Sequence, residues 1–424
     1  MQANGVQQAD EYPSPTEQTG SDPKLLQAAY FLFLAFIFLF PLSLTTAGVE
    51  ISFFGSAILL FALAISRRTT ISFYSPLIHP LWLFGAWSLV TVFFALDKPY
   101  SWHDFVSHYL RYLLLYLLTV NLIDTEKKIS ILAWVLIAST SLFCFGALVN
   151  EYFVLDIEPS KRFGLKLVET PTNLIGVVTL FAMILSTRVF ADEAGRQRRI
   201  ALIVMVVPML LVTILTQTRS NFVAMFVFVP ILFYRRRKLL ISLIVLLLII
   251  VFASPVKNRL RVGGSIRHRI SLIHLSIEVI KDYPTTGIGF GINTMADHRL
   301  IPPEKYNARV AAKHRLVDEH FNWPHNMMLS IAVRTGLVGL VLYSLVLAVC
   351  GYLLVQLIRA GRTAFIRDWS VCILAGWMMF FVKGNLEPIF SKTPETILFL
   401  ILSLTAVLWR MNNAARAHPS NPAD

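Results

Sequence analysis

The chain has 424 residues, 56% of them hydrophobic, and a formal net charge of +13. A soluble globular domain is nearer half apolar, so this composition favours a membrane protein. Its basic residues stand in short clusters between apolar runs, a pattern that sets membrane topology. We therefore expect membrane lipids and no nucleic acid as partners.

The N-terminal segment, residues 1–23, is polar and contains Pro13, Pro15 and Pro23. It lacks the basic stretch and the short apolar core of a signal peptide, and we expect a disordered cytoplasmic tail. After it, apolar runs of roughly 16–24 residues recur, and about 20 helical residues cross a bilayer core. Because the runs are continuous and do not alternate, they predict helices and not a barrel.

The resulting fold is an all-α polytopic integral membrane protein with about twelve transmembrane helices and a partly helical periplasmic loop. The spans are expected at 26–45, 49–66, 78–96, 104–122, 129–149, 172–190, 200–216, 220–234, 239–254, 326–357, 367–383 and 394–410.

The linkers between these spans predict the orientation. Basic clusters such as Arg67-Arg68 and Arg235-Arg236-Arg237-Lys238 fall on alternate linkers, and the opposite short linkers are poor in Lys and Arg. The positive-inside rule then places both termini in the cytoplasm. The predicted division is a tail at 1–23, transmembrane helices one to nine at 24–254, a large periplasmic loop subdomain at 255–325, transmembrane helices ten to twelve at 326–410, and a cytoplasmic tail at 411–424.

No pattern in the chain predicts a metal or cofactor site. Cys144, Cys350 and Cys372 lie in apolar runs without metal-ligand or disulfide spacing, and we expect small buried residues. The glycine run at 287–291 lacks the strand and helix that flank a dinucleotide loop. We expect a turn there, whose glycines let the backbone pack closely.

The tight link at 216–220, between spans seven and eight, is the first candidate site. Thr216, Thr218 and Ser220 surround Arg219 at the start of a helix. Free N–H groups at a helix N-terminus bind anions, and the planar guanidinium fits phosphate. The alternative is an ordinary capped helix with an arginine that extends to the membrane surface.

The second candidate is Arg267 with Arg269, at the start of a predicted amphipathic helix. Ile270, Ile273, Ile277 and Ile280 follow helical spacing, so the helix would lie on the membrane face or on the bundle. Cations are disfavoured at a helix N-terminus, and two of them suggest a bound anion. Contact with lipid headgroups is the alternative.

The third candidate is His325, between Pro324 and Asn326. Proline is common at a helix start, which would place His325 in the first turn of span ten. The helix dipole would keep the ring neutral there, as a general base requires. A structural histidine at the membrane surface is the alternative.

Together these motifs resemble the O-antigen ligase family and its relatives, the O-antigen polymerases and bacterial O-oligosaccharyltransferases. The motifs that carry the likeness are Thr218-Arg219-Ser220, Arg269 with the run at 282–291, His325-Asn326 with Gly336-Leu337-Val338-Gly339-Leu340, and Arg162-Phe163-Gly164 followed by Pro171-Thr172-Asn173.

The resemblance implies a glycosyltransferase of the bacterial inner membrane. It would move a finished polysaccharide from undecaprenyl diphosphate to a hydroxyl of lipid A–core at the periplasmic face. His325 would be the general base. The implied diphosphate ligands are Arg219, Arg269, Arg267, Arg162 and Arg111, and the supporting residues are Thr218, Ser220 and Asn326.

Arg111 differs from the other arginines because it lies within span four. An intramembrane arginine is costly and suggests a function, here contact with the lipid diphosphate. Extension to the membrane surface is the alternative.

The expected mechanism needs no ATP, because the donor carries its own leaving group. Arginines would stabilise the charge on that group in place of a metal, and direct displacement would invert the anomeric centre. An O-antigen polymerase or a protein O-oligosaccharyltransferase would share the donor site. A flippase or other transporter is an alternative from a different class, disfavoured by spans that look nearly free of charge apart from Arg111.

Overall fold

A computed structural model describes residues 23–42, 46–158, 163–164, 172–253, 263–316 and 323–417, and within these ranges the chain is helical with no strand. The helices are α1 (Pro23–Leu39), α2 (Thr46–Ile65), α3 (Ile78–Phe93), α4 (Lys98–Asp104), α5 (Arg111–Leu122), α6 (Glu126–Val149), α7 (Thr172–Asp192), α8 (Arg196–Leu215), α9 (Arg219–Phe233), α10 (Arg237–Ala253), α11 (Gly263–Asp282), α12 (Pro303–Asn307), α13 (Met327–Ala360), α14 (Ala364–Gly384) and α15 (Lys392–Ala417). Turns of π-helix at Phe105–Leu110 and Asn150–Val154 join α4 to α5 and extend α6.

Each of the twelve expected spans overlaps helical structure, although span four includes a π-helical turn before α5. In the described part of the chain, seven helices are long and apolar enough to cross a membrane, and shorter apolar helices include α3 and α9. The polytopic helical fold class is therefore confirmed.

Local signals fix several helix starts. Thr125 accepts a hydrogen bond from Lys128 N at 3.3 Å before α6, and Thr363 accepts one from Ile366 N at 3.2 Å before α14. These side chains satisfy N–H groups that the first turn leaves free. The polar links between apolar runs thus mark where the helices begin.

The described part of the segment after α10 packs around a small apolar cluster, to which Val333 of α13 also contributes. Leu272, Leu275 and Val279 of α11 pack with Ile288 and Tyr306, apart from the main core of the helical bundle. Burial of each such aliphatic side chain is worth about 1.5–3 kcal/mol. The described part of this segment therefore packs around an apolar cluster, and its identity as a periplasmic subdomain stays a prediction.

The buried face of α11 is not the one that the isoleucine spacing suggested. Leu272, Leu275 and Val279 are fully buried, whereas Ile270 and Ile277 are each 39% exposed. Of the two surroundings expected for the isoleucine stripe, packing on the bundle is not found for these two residues. Contact of this face with the membrane stays a prediction.

Span ten is not one continuous helix, because α13 breaks at Gly336. The backbone there has φ +70°, and the Thr285 carbonyl occupies the place of a side chain. Only glycine fits such a position without strain. The prediction of one uninterrupted helix at 326–357 is therefore corrected to a short helix, a break at Gly336 and a long helix.

The turn at 284–289 fills this break. Ile288 N donates to Val333 O at 2.9 Å, Gly289 N donates to Arg334 O at 3.0 Å, and Leu337 N donates to Pro284 O at 2.8 Å. Backbone groups freed by the break are thus paired again, as an apolar environment requires. The glycine run is a close-packing turn, as predicted.

Several spans hold buried charges, so the prediction of spans nearly free of charge apart from Arg111 is wrong. Asp104, Arg334, Lys383 and Glu395 are all buried. Arg334 Nε donates to Phe290 O at 2.9 Å, and His108 Nδ1 lies 2.5 Å from Glu395 Oε2. The scarcity of charge that counted against a transporter does not hold.

Candidate functional site

The link between α8 and α9 takes the tight form expected from the sequence. Gln217 adopts a left-handed conformation (φ +49°), and Thr218 precedes α9 without a capping hydrogen bond from its side chain. Among the described residues, the Arg219 side chain has no hydrogen bond or ion pair, and it is half-buried. The alternative of a side-chain-capped helix is therefore not what the structure shows, and binding of an anion by Arg219 stays a prediction.

A short segment, Phe163-Gly164, lies against this link. Phe163 is fully buried, and its N–H donates to Leu215 O at 3.2 Å. Gly164 N donates to Glu151 Oε1 at 2.5 Å. The structure thus brings this motif, named in the resemblance, to the end of α8, where the link to α9 begins. Arg162 itself lies outside the described residues, and its role stays a prediction.

Arg269 and Arg267 have different surroundings on α11. Arg269 Nη1 donates to Leu386 O at 2.9 Å, and its Nη2 lies 3.2 Å from Glu387 Oε1. Arg267 is exposed, and its guanidinium has no partner in the part of the chain that the structure describes. Of the two arginines, Arg269 is the one held by the helical bundle.

His325 precedes α13 and does not lie in its first turn, so that prediction is wrong. Asn326 is the N-cap, and its Oδ1 accepts a hydrogen bond from Leu329 N at 2.9 Å. Pro324 lies two residues before the cap and not at the first helical position. His325 adopts φ +52°, a left-handed conformation that is uncommon outside glycine and is often found at functional sites.

The environment of His325 favours the neutral ring. Burial lowers its pKa most, the charges of Arg269 and His268 lower it further, and Glu387 acts in the opposite direction. The neutral form was expected, but its main physical cause is desolvation. Among the described residues, the buried Nδ1 has no hydrogen-bond partner.

The turn at the end of α14, residues 383–387, contacts three elements of the candidate site. Asn385 O accepts from Asn326 Nδ2 at 3.3 Å, and Leu386 O accepts from Arg269. Lys383 Nζ donates to Ser220 Oγ at 3.2 Å. The structure thus links the first turn of α9, Arg269 of α11 and the cap of α13 through one turn.

Sequence reasoning missed Lys383, Asn385 and Glu387 as site residues. The run Lys383-Gly384-Asn385-Leu386-Glu387 was treated only as a short linker between the last two spans. A lysine and a glutamate one helical turn apart at the end of an apolar run could have identified it. Their partners could not be read from the sequence, because Ser220 and Arg269 are more than a hundred residues away.

Arg111 has partners apart from this turn. Its Nη1 lies 2.6 Å from Glu50 Oε2, and its guanidinium lies over the Phe53 ring, 4.9 Å from the centroid. An ion pair and a cation–π contact stabilise an arginine in a membrane helix without any ligand. Its contact with a diphosphate stays a prediction.

Residues 204–344 match the family model described as O-antigen ligase. The resemblance inferred from the motifs is thereby confirmed, and the matched O-antigen ligase segment contains Arg219, Arg269 and His325. No curated protein matches the chain. Arg111, Arg162 and Lys383 lie outside the matched segment.

Proposed function

We propose that the protein is an O-antigen ligase of the bacterial inner membrane. It would transfer a glycan from undecaprenyl diphosphate to a hydroxyl of lipid A–core. The observation that carries the proposal is that one turn holds both groups: Asn326, next to His325, donates to Asn385 O, and Arg269 donates to Leu386 O. Asn326, His325 and Arg269 all lie within the matched O-antigen ligase segment. A neutral base beside a cation is what acceptor deprotonation and a departing diphosphate need.

The proposed topology puts both termini in the cytoplasm and residues 255–325 in the periplasm. The basic clusters on alternate linkers support it. In this arrangement the site faces the compartment in which a lipid-linked donor and the lipid A–core acceptor are both accessible. No nucleotide is needed there, because cleavage of the glycosyl–diphosphate bond drives the transfer.

The proposed chemistry divides the work between cations and base. Arg219 and Arg269 hold the diphosphate and stabilise the negative charge that develops as the glycosidic bond breaks. His325 takes the proton of the acceptor hydroxyl as the hydroxyl oxygen attacks the anomeric carbon and undecaprenyl diphosphate leaves. The enclosed Nδ1 makes Nε2 the proposed proton acceptor. Direct attack inverts the anomeric centre, and the proposed reaction is metal-independent.

The test is transfer by purified protein supplied with undecaprenyl-diphosphate glycan. Three acceptors are offered separately: lipid A–core, a second lipid-linked glycan and a pilin-type protein. Glycan on lipid A–core supports the ligase. Transfer only to the second glycan or only to the protein identifies instead a polymerase or a protein O-oligosaccharyltransferase, which would share the donor site.

A transporter of lipid-linked oligosaccharide is the second candidate function. The buried charges Asp104, Arg334 and Glu395 inside the bundle favour it, because transporters place such residues on the substrate pathway. Reconstitution in vesicles separates the two functions. Movement of a labelled lipid-linked glycan between leaflets, without transfer to any acceptor, would support the transporter.

A further inference from the structure

Lys383 is a fully buried lysine at the end of α14. Its Nζ donates to Ser220 Oγ at 3.2 Å and to Asn221 Oδ1. A buried ammonium is costly unless it is paired, and both of these acceptors are neutral. A nonpolar residue could fill the same space without that cost, so the charge and its geometry call for an explanation beyond packing.

The acceptors of Lys383 lie next to Arg219. Ser220 and Asn221 are the second and third residues of α9, and Asn221 N donates to Thr218 O at 3.1 Å. The side chain of Asn221 is also enclosed from the other side, because a Cβ at Gly176 would lie 2.5 Å from its Oδ1. Lys383 and α7 therefore fix the turn from which Arg219 projects.

The same turn of α14 holds the second arginine. Glu387 N donates to Lys383 O at 2.8 Å, which keeps the two side chains one turn apart. Arg269 Nη2 lies 3.2 Å from Glu387 Oε1, and Arg269 Nη1 donates to Leu386 O at 2.9 Å. One short, internally hydrogen-bonded segment thus sets the positions of both guanidinium groups.

We infer that Lys383 is a positioning residue for the transfer reaction, because it holds the first turn of α9 and thereby orients Arg219. Glu387 orients Arg269 directly, through its carboxylate. The inference rests on the proposed function. Neither residue needs to touch the donor. The turn at 383–387 fixes the separation of the two cations, and with it the fit to a diphosphate.

The experiment is a double-mutant cycle of Lys383→Met and Arg219→Ala. Two quantities are measured: binding of undecaprenyl diphosphate, and transfer over a range of donor concentrations. Misplacement of a binding group by about 1 Å can cost about 10²-fold. We expect Lys383→Met to lower kcat/KM for the donor by about 10–100-fold. Because Arg219→Ala alone should abolish transfer, the cycle is evaluated on donor binding. The double variant should bind undecaprenyl diphosphate no more weakly than Arg219→Ala, because linked residues are not additive.

Two outcomes overturn the inference. Additive losses of donor binding in the double variant would mean that Lys383 acts on the donor independently of Arg219. An unchanged kcat/KM in Lys383→Met would mean that the lysine only fills space. If Lys383→Met does not fold, Asn221→Ala removes an acceptor and keeps the lysine. The same non-additivity with Arg219→Ala is then expected, and its absence contradicts the inference.

Matched controls separate positioning from stability and from the proposed function. Thr405→Val removes another buried polar contact, with Cys350 Sγ at 3.5 Å, and should lower Tm without changing transfer. Wild-type protein that binds undecaprenyl diphosphate but transfers nothing would refute the ligase proposal only. The binding cycle then still decides the role of Lys383, and absence of both binding and transfer refutes both.

Discussion

Arg269 is held by Glu387, with its Nη2 3.2 Å from a carboxylate oxygen of a residue that the sequence places 118 positions away. A second N–H of the same guanidinium donates to Leu386 O. The group still has donors left, because a guanidinium carries five N–H bonds in a fixed fork. Glu387 therefore orients Arg269 and leaves it able to bind an anion.

Arg219→Ala and Arg269→Ala should each abolish transfer, since each removes a proposed diphosphate ligand. Replacement by lysine should rescue poorly, because a point charge does not reproduce the planar fork. The measurements are donor binding and turnover in detergent. Arg299→Ala is the control, since Arg299 is an exposed arginine paired with Asp297, and it should behave as wild type. Normal donor binding by both site variants would exclude the diphosphate role.

Cysteine labelling tests the orientation. A cysteine at Lys305 should react with a membrane-impermeant reagent from the periplasm, and one at Arg236 only from the cytoplasm. Lys305 lies within α12 and Arg236 lies just before α10, and the proposed topology puts them on opposite sides of the membrane. The reverse pattern would place the candidate site in the cytoplasm and remove the basis of the mechanism.

Transfer should continue in EDTA. Arginines supply the positive charge in the proposed mechanism, and the described residues hold no group of three or more His, Cys, Asp or Glu that could bind a metal ion. The measurement is turnover after chelation and dialysis. Loss of activity in EDTA that magnesium or manganese restores would show that the reaction uses a metal.

Gly336→Ala should destabilise the protein. A non-glycine residue at φ +70° costs about 1–3 kcal/mol, and the Thr285 carbonyl leaves no space for a Cβ. The turn at 284–289 would lose its fit, so Tm should fall. Gly351→Ala, in the same helix, meets only Trp377 at 3.4 Å and serves as the control. Equal Tm values for the two variants would contradict this account of the break.

The sequence predicted the apolar helices well, because each needs only a run of apolar residues. It also indicated Arg219, Arg269 and His325, since these stand in short polar motifs beside helix ends. It could not predict that Arg111 pairs with Glu50, because that contact joins segments far apart in the chain, which no local pattern encodes. The start of α13 after His325 is different, because Asn326 is a common N-cap residue and gave a local signal for it.

His325→Ala should lower turnover by about 10²–10⁴-fold, the usual loss when a general base is removed. Donor binding should change little, because the arginines hold the diphosphate. The pKa of His325 is lowered by burial and by Arg269, so the ring should stay neutral down to a lower pH than an ordinary histidine does. Activity should therefore fall only at more acidic pH, as the ring becomes protonated.

Turnover against pH and donor titration together decide the role of His325. A variant that binds donor weakly but turns over normally at saturating donor would make His325 a diphosphate ligand. The base would then be sought among carboxylates. Asp318 and Glu319 lie outside the described residues, whereas Glu387 is placed beside Arg269 and influences the charge of His325. Glu387→Gln keeps a side-chain oxygen that can accept a hydrogen bond from Arg269 and removes the basic carboxylate. It should retain most turnover if His325 is the base. If Glu387 is the base, turnover should be lost while donor binding, which depends on Arg269, is kept.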